Sequence, residues 1–535
     1  MQPKSIIFRD ARKINKKKTT MKRLPLGIQT FSHLINENYI YADKTGFISQ
    51  LADSHKYTFM ARPRRFGKSL LISTLEEFFS GNKELFKGLA VYDYPNWQKH
   101  PVIRLDFSDM DTENLQNFRE SLFRRLKNVA GNYSLDFEID SEAEYFSALI
   151  EGLSKQAGLG TVILIDEYDK PITDHLESPN IAGEIRDFLR GIFIRMKAND
   201  AHIRFVFITG VSKFGKISLF SGMNQITDIS LFEEYAVLFG YKQSELEDYF
   251  KDYIEELAEK RKVTKEELLA DIKFWYNGYS WDGKNRVYNP YSILSLFAAR
   301  KFGNFWYQSG SPTFLYKAYK FGQYLPQDLE SFKVDGAVLD NMEITELNTA
   351  GLFFQTGYLS IKEIESEGVM DFYKLGFPNF EVKQSFYRSL FMNLANLHDM
   401  SVMSAAVDLR KSLELNDIAR FEKILISLFA KIPSNLHIAQ ERFYHSLFIM
   451  IMYLSGIEVE AEVNTNIGRI DGVIEFPDKI YILEFKFDLP PEDGLTQILE
   501  KKYYEKYLSL GKKIFLTGVG FTREDIKVVC IENVF

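Results

Sequence analysis

Tyr57–Ser69 reads YTFMARPRRFGKS, and the fold turns on this stretch. Tyr57–Ala61 is apolar enough for a buried strand, Arg62–Ser69 forms a turn, and Leu70–Phe79 carries apolar residues at helical spacing as far as Gly81-Asn82. A strand that passes through a tight turn into a helix aims backbone N–H groups and a helix N-terminus at one point, which suits a phosphate. In Gly67-Lys68-Ser69 the lysine is placed to reach β- and γ-phosphates and the Ser69 hydroxyl to ligate Mg²⁺. The general pattern G-x-x-x-x-G-K-[ST] has a glycine where this chain has Arg62, a departure because arginine takes up glycine's turn conformations at a cost. Arg62, Arg64 and Arg65 read in two ways, as charge against a triphosphate or as partners of Asp43, Glu76 or Glu77.

Working outward, Thr161–Ile165 (TVILI) is a second buried strand that ends in Asp166-Glu167. Asp166 is placed to hold Mg²⁺ through water, and Glu167 to polarise the water that attacks a γ-phosphate. Ile203–Thr209 (IRFVFIT) is a third strand, with Thr209 at its end to sense that water. Val102–Phe107 reads as a further strand, and Glu142–Gln156 and Ala182–Lys197 as helices. This alternation over residues 24–230 predicts a parallel, doubly wound α/β sheet. Beyond it come charged helical sequence from Ser244 to Phe274, an aromatic turn-rich block at Trp275–Tyr291 (WYNGYSWDGKNRVYNPY), and largely helical sequence over 292–430.

The chain has 535 residues, enough for two to four domains at about 100–200 residues each. With 45% apolar and 26% charged residues the balance is globular, and the 29 Tyr, 46 Phe and 4 Trp suit aromatic-rich cores. A single cysteine, Cys530, excludes an internal disulfide framework and any cysteine-based metal cluster, and the eight histidines lack zinc-site spacing. The best apolar run, Ser446–Ile457, has core-helix length, and no signal-peptide pattern precedes it, so a soluble cytoplasmic protein is expected. Net charge is −7, yet residues 1–23 carry nine Lys/Arg against Asp10 alone. That arm reads as a nucleic-acid tail, as a disordered solvated tail, or as sequence upstream of a start at Met21.

The C-terminal region follows a different logic. In Arg469–Phe476 (RIDGVIEF) Asp471 lies opposite the Ile470, Ile474, Phe476 face, and in Ile480–Phe487 (IYILEFKF) Glu484 and Lys486 lie opposite Tyr481, Leu483, Phe485 and Phe487. Connecting-loop length tests whether these residues meet. Two residues after Phe476 pair Asp471 with Glu484, four pair it with Lys486, and three set it opposite Phe485 on the wrong face unless a bulge intervenes. Two carboxylates could hold Mg²⁺ and Lys486 could position the hydrolytic water, as phosphodiester cleavage requires. The plainer reading is a solvent face with an i,i+2 Glu/Lys pair. A helix at Glu441–Tyr453, the hairpin, a helix near Thr496–Leu510 and a strand at Lys513–Leu516 complete the region.

The segments RPRRFGKS, LIDEYDKP (Leu164–Pro171), FITGVSKFGKISLFSGMNQITDIS (Phe207–Ser230) and WYNGYSWDG resemble the AAA-ATPase-like family of bacterial proteins, in which an arginine-rich loop replaces the first glycine. Asp471, Glu484 and Lys486 in their setting resemble the core of the PD-(D/E)XK nuclease superfamily, in the branch fused to such ATPase domains. The resemblance implies an additional-strand, catalytic-glutamate ATPase sheet, a helical middle region and a restriction-endonuclease-like α/β end. It divides the chain into a disordered basic extension (1–23), a P-loop domain (24–235), a helical lid or linker (236–430) and a nuclease-like domain (431–535). Arg64, Arg65, Phe66, Gly67, Lys68, Ser69, Asp166 and Thr209 are expected to hold ATP. Ser69, Asp166, Asp471 and Glu484 are expected to hold Mg²⁺, and Glu167, Asp471, Glu484 and Lys486 to serve catalysis. Ser212 and Lys213 match the sensor region loosely, and no arginine finger is identified. Glu441 and Gln497 match supporting positions in the second site. The partner expected is nucleic acid, DNA ahead of RNA, with no membrane, and a homo-oligomer is left open. Placed against these domains, residues 1–20 read as an upstream extension more readily than as a DNA-binding tail. The leading reading is an ATP-hydrolysing protein with a Mg²⁺-dependent nuclease. Against it stand a nucleotide-switched regulatory or nucleic-acid-binding protein whose nuclease-like domain does not cut, and an ATPase with an unrelated acidic sheet.

Overall fold

The computed structural model describes residues 21–533 apart from 214–218, 221, 224, 309–325, 331, 341–347, 395–399, 434–439 and 524. The reading of residues 1–20 as disordered therefore lies outside the described residues. Arg23, counted in that extension, belongs to the folded part: it bridges Tyr39 and pairs with Glu37 at 3.0 Å.

The N-terminal sheet contains β1 (Tyr57–Ala61), β2 (Val102–Asp106), β3 (Thr161–Asp166), β4 (Ile203–Gly210) and the short β5 (Thr227–Asp228), in the order β2-β3-β4-β1-β5. All four pairings are parallel, and β4 lies between β1 and β3, the additional-strand arrangement expected. β1 and β3 are buried along their whole length because helices cover both faces. Phe59, Ile163, Ile165, Val206 and Ile208 pack on one side with helices Leu115–Asn132, Glu142–Ala157 and Pro179–Ala198. Met60, Leu164, Phe205 and Phe207 pack on the other with helix Lys68–Phe79. Helix Leu115–Asn132, absent from the sequence reading, buries Phe118, Leu122, Leu126 and Val129 along one stripe.

The middle region is helical, as expected, with a sheet the sequence did not suggest. Helices Gln243–Tyr249, Lys251–Arg261, Lys265–Tyr276 and Pro290–Ala299 enclose a core of Leu246, Phe250, Ile254, Leu268 and Phe297. The aromatic block supplies a small ladder, β6 (Asn277–Tyr279) with β7 (Val287–Tyr288). Within 292–430, β8 (Lys333–Asp335), β9 (Ser360–Glu367) and β10 (Met370–Gly376) form an antiparallel sheet ordered β8-β10-β9. Its strands carry Lys and Glu at most outward positions and are tied by ion pairs such as Lys333–Glu365 at 2.9 Å and Lys374–Glu363 at 3.1 Å, so they lack the apolar alternation that marks a strand.

The C-terminal sheet runs β11 (Glu460–Asn464), β12 (Arg469–Glu475), β13 (Lys479–Phe487), β14 (Lys513–Phe521), β15 (Ile526–Asn533) in that spatial order. Only β13 and β14 are parallel, and helix Pro491–Glu500 forms their crossover. That helix is shorter than the Thr496–Leu510 segment expected: the backbone turns left-handed at Lys502 (φ 49°), and Tyr503–Leu510 continues as 3₁₀. On the other face, helix Glu441–Leu454 is buried from Phe443 onward and packs against helix Phe380–Leu394, with Tyr387 and Tyr453 rings 4.8 Å apart. Among the described residues no helix is long and apolar enough to cross a membrane.

Candidate functional sites

The loop between β1 and its helix opens into a cleft of about 360 Å³ lined by Arg64, Arg65, Gly67, Lys68, Ser69 and Glu167, with Pro25, Ile28, Tyr241, Tyr291 and Leu294 on its apolar flank. Gly67 takes φ +94°, a conformation that strains any side-chain-bearing residue although space for a Cβ is open. Lys68 is buried, and its Nζ donates to the carbonyls of Arg62 and Pro63, each at 3.1 Å. Burial lowers its pKa, and Glu167, Asp166 and Asp169 pull the other way. The Ser69 hydroxyl lies near the Asp166 carboxylate and favours its charged form, but burial is the larger effect and raises the Asp166 pKa. Glu167 follows at φ 51°, its N–H donating to Asp166 Oδ1 at 3.1 Å, and burial raises its pKa too.

The structure thus brings Lys68, Ser69, Asp166 and Glu167 together. Asp166 Oδ2 and Thr209 Oγ1 are buried with no hydrogen-bond partner, an expensive condition for polar atoms. A hydrated Mg²⁺ fits that pair, since it needs few protein oxygens and keeps several waters. Phe66 offers only backbone to the loop. Its ring is buried, with Tyr279 at 4.8 Å and Trp281 at 5.3 Å.

Neither reading of the three arginines holds for Arg62. It is buried away from the cleft, donating to Ala61 O at 2.9 Å and Ser230 O at 2.7 Å with its guanidinium 4.1 Å over Trp281. Glu76 pairs with Arg104, Glu77 accepts from Asn82, and Asp43 accepts from Thr45 and Ala90. Nor does Arg62 take a left-handed conformation; that falls to Arg65 (φ 68°) and Gly67. Lys213 turns to Asp228 at 2.9 Å and to Asp340, and its N–H donates to Gln355, so its side chain is committed outside the cleft. Asp169, which the sequence reading passed over within LIDEYDKP, accepts from the N–H groups of Val211 and Ser212 and from the Ser212 hydroxyl (2.6 Å). It fixes the chain leaving β4.

The second site lies on the C-terminal hairpin. Phe476 N–H donates to Lys479 O at 2.8 Å, leaving Pro477-Asp478 as a two-residue loop. The register Glu475↔Ile480 through Gly472↔Leu483 extends to Asp471 opposite Glu484, the outcome expected of that loop length. Asp471 Oδ2 accepts from Phe485 N–H at 2.8 Å. Lys486 Nζ lies 3.5 Å from Glu484 and donates to Gln497 Oε1 at 2.9 Å, while the Gln497 amide donates to Glu484. Helix Pro491–Glu500 covers this face, so Glu484 is only 2% exposed and the solvent-face reading fails. Burial and the neighbouring Asp471 raise the Glu484 pKa; burial raises that of Asp471, with Glu441 adding to it. Glu484 Oε2 is buried without a hydrogen-bond partner.

Two facing carboxylates, each unfavourable to charge alone, fit a divalent cation that would neutralise both. Among the described residues no group of three or more His, Cys, Asp or Glu is gathered for a metal, so each site offers a small donor set. His445, which the sequence reading missed, sits behind the hairpin, buried, 4.6 Å from the Phe485 ring and close to the Asp471 backbone, and burial lowers its pKa. Its only sequence signal is an i,i+4 relation to Glu441 on an otherwise apolar helix.

Residues 25–220 match the family described as Predicted AAA-ATPase, and residues 439–530 match the PD-(D/E)XK nuclease superfamily. A relative from Azotobacter chroococcum mcd 1, described as "Uncharacterized protein in vnfD 5'region", is 37% identical over 517 residues, covering 95% of this chain and 98% of its own. The second match removes the reading of an unrelated acidic sheet.

Proposed function

The chain belongs to the family that joins a predicted AAA-ATPase domain to a C-terminal PD-(D/E)XK nuclease-superfamily domain, and from that premise we propose that it hydrolyses ATP and cleaves nucleic acid phosphodiesters, DNA in preference to RNA. The P-loop domain spans about residues 24–235, the helical lid or linker 236–430 and the nuclease-like domain 431–535. The observation that carries the proposal is Glu484 Oε2, buried and unpartnered beside Asp471 with Lys486 and Gln497 around it.

In the first site Lys68 leaves the loop carbonyls for the nucleotide phosphates, Ser69 and Asp166 hold Mg²⁺, Glu167 orients the attacking water, and Thr209 contacts it from β4. In the second, Asp471 and Glu484 hold Mg²⁺, which when bound supplies an acidified water and charge neutralisation at the phosphate. Lys486 orients that water, and Gln497 keeps lysine and glutamate in place. Glu441 adds acidity at the rim.

The competing reading, a nuclease-like domain that grips without cutting, draws support from the acidic balance of the chain, which leaves nucleic-acid binding to local patches. Cleavage of plasmid DNA, single-stranded DNA and RNA with Mg²⁺, with and without ATP, decides between them. Wild type is expected to cut and Asp471→Ala to lose at least about a hundredfold. Equal behaviour of the two proteins refutes the nuclease assignment. Lys68→Ala with normal ATP hydrolysis refutes the first site.

A further inference from the structure

The phosphate loop lacks the first glycine of the general pattern, and the middle region grips the loop from outside at nearly every residue. Arg62 lies under Trp281 at 4.1 Å, and Phe66 meets Tyr279 and Trp281 edge-on. Pro63 packs on Gly357, where a Cβ would approach the proline to 2.7 Å at a left-handed φ of +89°. The Arg64 carbonyl accepts from the Trp306 indole N–H at 3.1 Å, and the Arg65 guanidinium lies 4.8 Å over Tyr291.

Two of these contacts share an anchor. The Trp306 backbone N–H donates to one oxygen of Glu381 at 2.7 Å, and Ser292, next to Tyr291 on helix Pro290–Ala299, donates to the other at 2.7 Å. Glu381 is completely buried, and among the described residues its hydrogen-bond donors, Ser292, Phe305 and Trp306, belong to the two segments that touch the loop. A carbonyl and the following N–H point in opposite directions across a trans peptide. With the Arg64 carbonyl held toward Trp306, the Arg65 N–H is turned away from it.

We propose that Trp306 is a positioning residue for the nucleotide phosphates. By fixing the Arg64–Arg65 peptide it presents the Arg65 N–H to phosphate oxygen, and Glu381 positions Trp306 in turn. The middle region thereby replaces the missing loop glycine as the device that sets amide direction. This rests on the nucleotide-binding reading of the first site.

The test uses the full chain and compares wild type, Trp306→Phe, Glu381→Ala, Glu381→Gln and Lys68→Ala. Affinities for ATP, ADP and adenosine are measured by equilibrium dialysis and competition, and KM and kcat for ATP hydrolysis in steady state. Trp306→Phe keeps an aromatic side chain but loses the indole N–H and part of the buried ring, so its ATP and ADP affinities are expected to fall at least about three- to tenfold. KM is expected to rise in step while kcat stays within about twofold, because the interaction is made in the ground state. Adenosine, which has no phosphate, is expected to bind unchanged. Glu381→Ala is expected to match Trp306→Phe, and Glu381→Gln, which still accepts the Trp306 N–H, to regain most of the affinity.

Unchanged ATP affinity in Trp306→Phe overturns the proposal, and so does an equal loss for adenosine and ATP. If Lys68→Ala loses ATP while Trp306→Phe does not, this inference fails and the nucleotide site stands. If folded wild type binds no ATP, both fail. Amide hydrogen exchange on wild type covers a variant that does not fold. ATP is expected to slow exchange at residues 62–69 and 303–308 together, and protection of the first segment alone overturns the proposal.

Discussion

Glu381 yields a measurement of stability that needs no substrate. Its carboxyl is pushed up from 4.5 to about 7 by burial, against hydrogen bonds from Ser292, Trp306 and Phe305 that favour the charged form. A folded-state pKa above the unfolded one gives stability that is fully present below pH 4.5 and lost as pH rises through about 7. The whole effect corresponds to about 3 kcal/mol. Glutamine keeps an oxygen for the Trp306 backbone N–H and carries no charge at any pH, so it lacks the titration that costs the wild type stability. The difference in Tm between Glu381→Gln and wild type is therefore expected to grow in the variant's favour between about pH 5 and 7.5 and then level off. At about 2–4 °C per kcal/mol for a unit of 150–250 residues, the swing is roughly 6–12 °C. Paired calorimetric scans at one scan rate across this range read it, because every other titrating group is common to both proteins. A Tm difference independent of pH would mean that Glu381 titrates in the fold as it does unfolded, and the buried anchor drawn above would be wrong.

Other outcomes follow from the same geometry. Arg62→Gly restores the general loop pattern yet is expected to cost about 2–4 kcal/mol, because it empties a buried site beside Trp281 and leaves the Ser230 carbonyl without its donor; a thermal melt and an ATP binding curve no weaker than wild type would contradict this. Gln497→Ala removes the bridge between Lys486 and Glu484 and is expected to lower cleavage about tenfold or more with little change in Tm, read from initial rates at saturating Mg²⁺.

The parts of the fold legible in the sequence are those written in local pattern. YTFMA followed by RPRRFGKS, and TVILI followed by Asp166-Glu167, announce strand ends that meet because parallel strands deliver their C-termini to one edge. The pairing of Asp471 with Glu484 was legible as one of three registers, and the two-residue loop Pro477-Asp478 selects it, since a hairpin's register is set by its loop. The middle sheet was not legible: β9 and β10 are charged on their outward positions, and the pairs that hold them join residues across strands, which no window of one strand contains. Glu381 and Trp306 were invisible for the same reason. A buried glutamate looks like any surface glutamate until its partners 75 and 89 residues away are known.

The arginine-rich loop changes meaning once its neighbours are in view. A generic loop obtains its curvature from glycine, whose backbone reaches left-handed conformations without penalty. Here that conformation is assigned to Arg65 as well as Gly67, and for arginine it costs about 1–3 kcal/mol. Such strain persists only where surrounding contacts fix it, and those contacts come from Trp281, Tyr291, Trp306 and Gly357. Residues 279–306 and 357 are therefore as much a condition of the phosphate loop's shape as the loop's own sequence. Helix Phe380–Leu394, whose second residue is the Glu381 anchor, packs onto the helix whose first turn carries Glu441 and whose His445 backs Asp471. One continuous set of packed side chains thus runs from Trp306, whose indole holds the Arg64 carbonyl, to Phe485 beside the second carboxylate site.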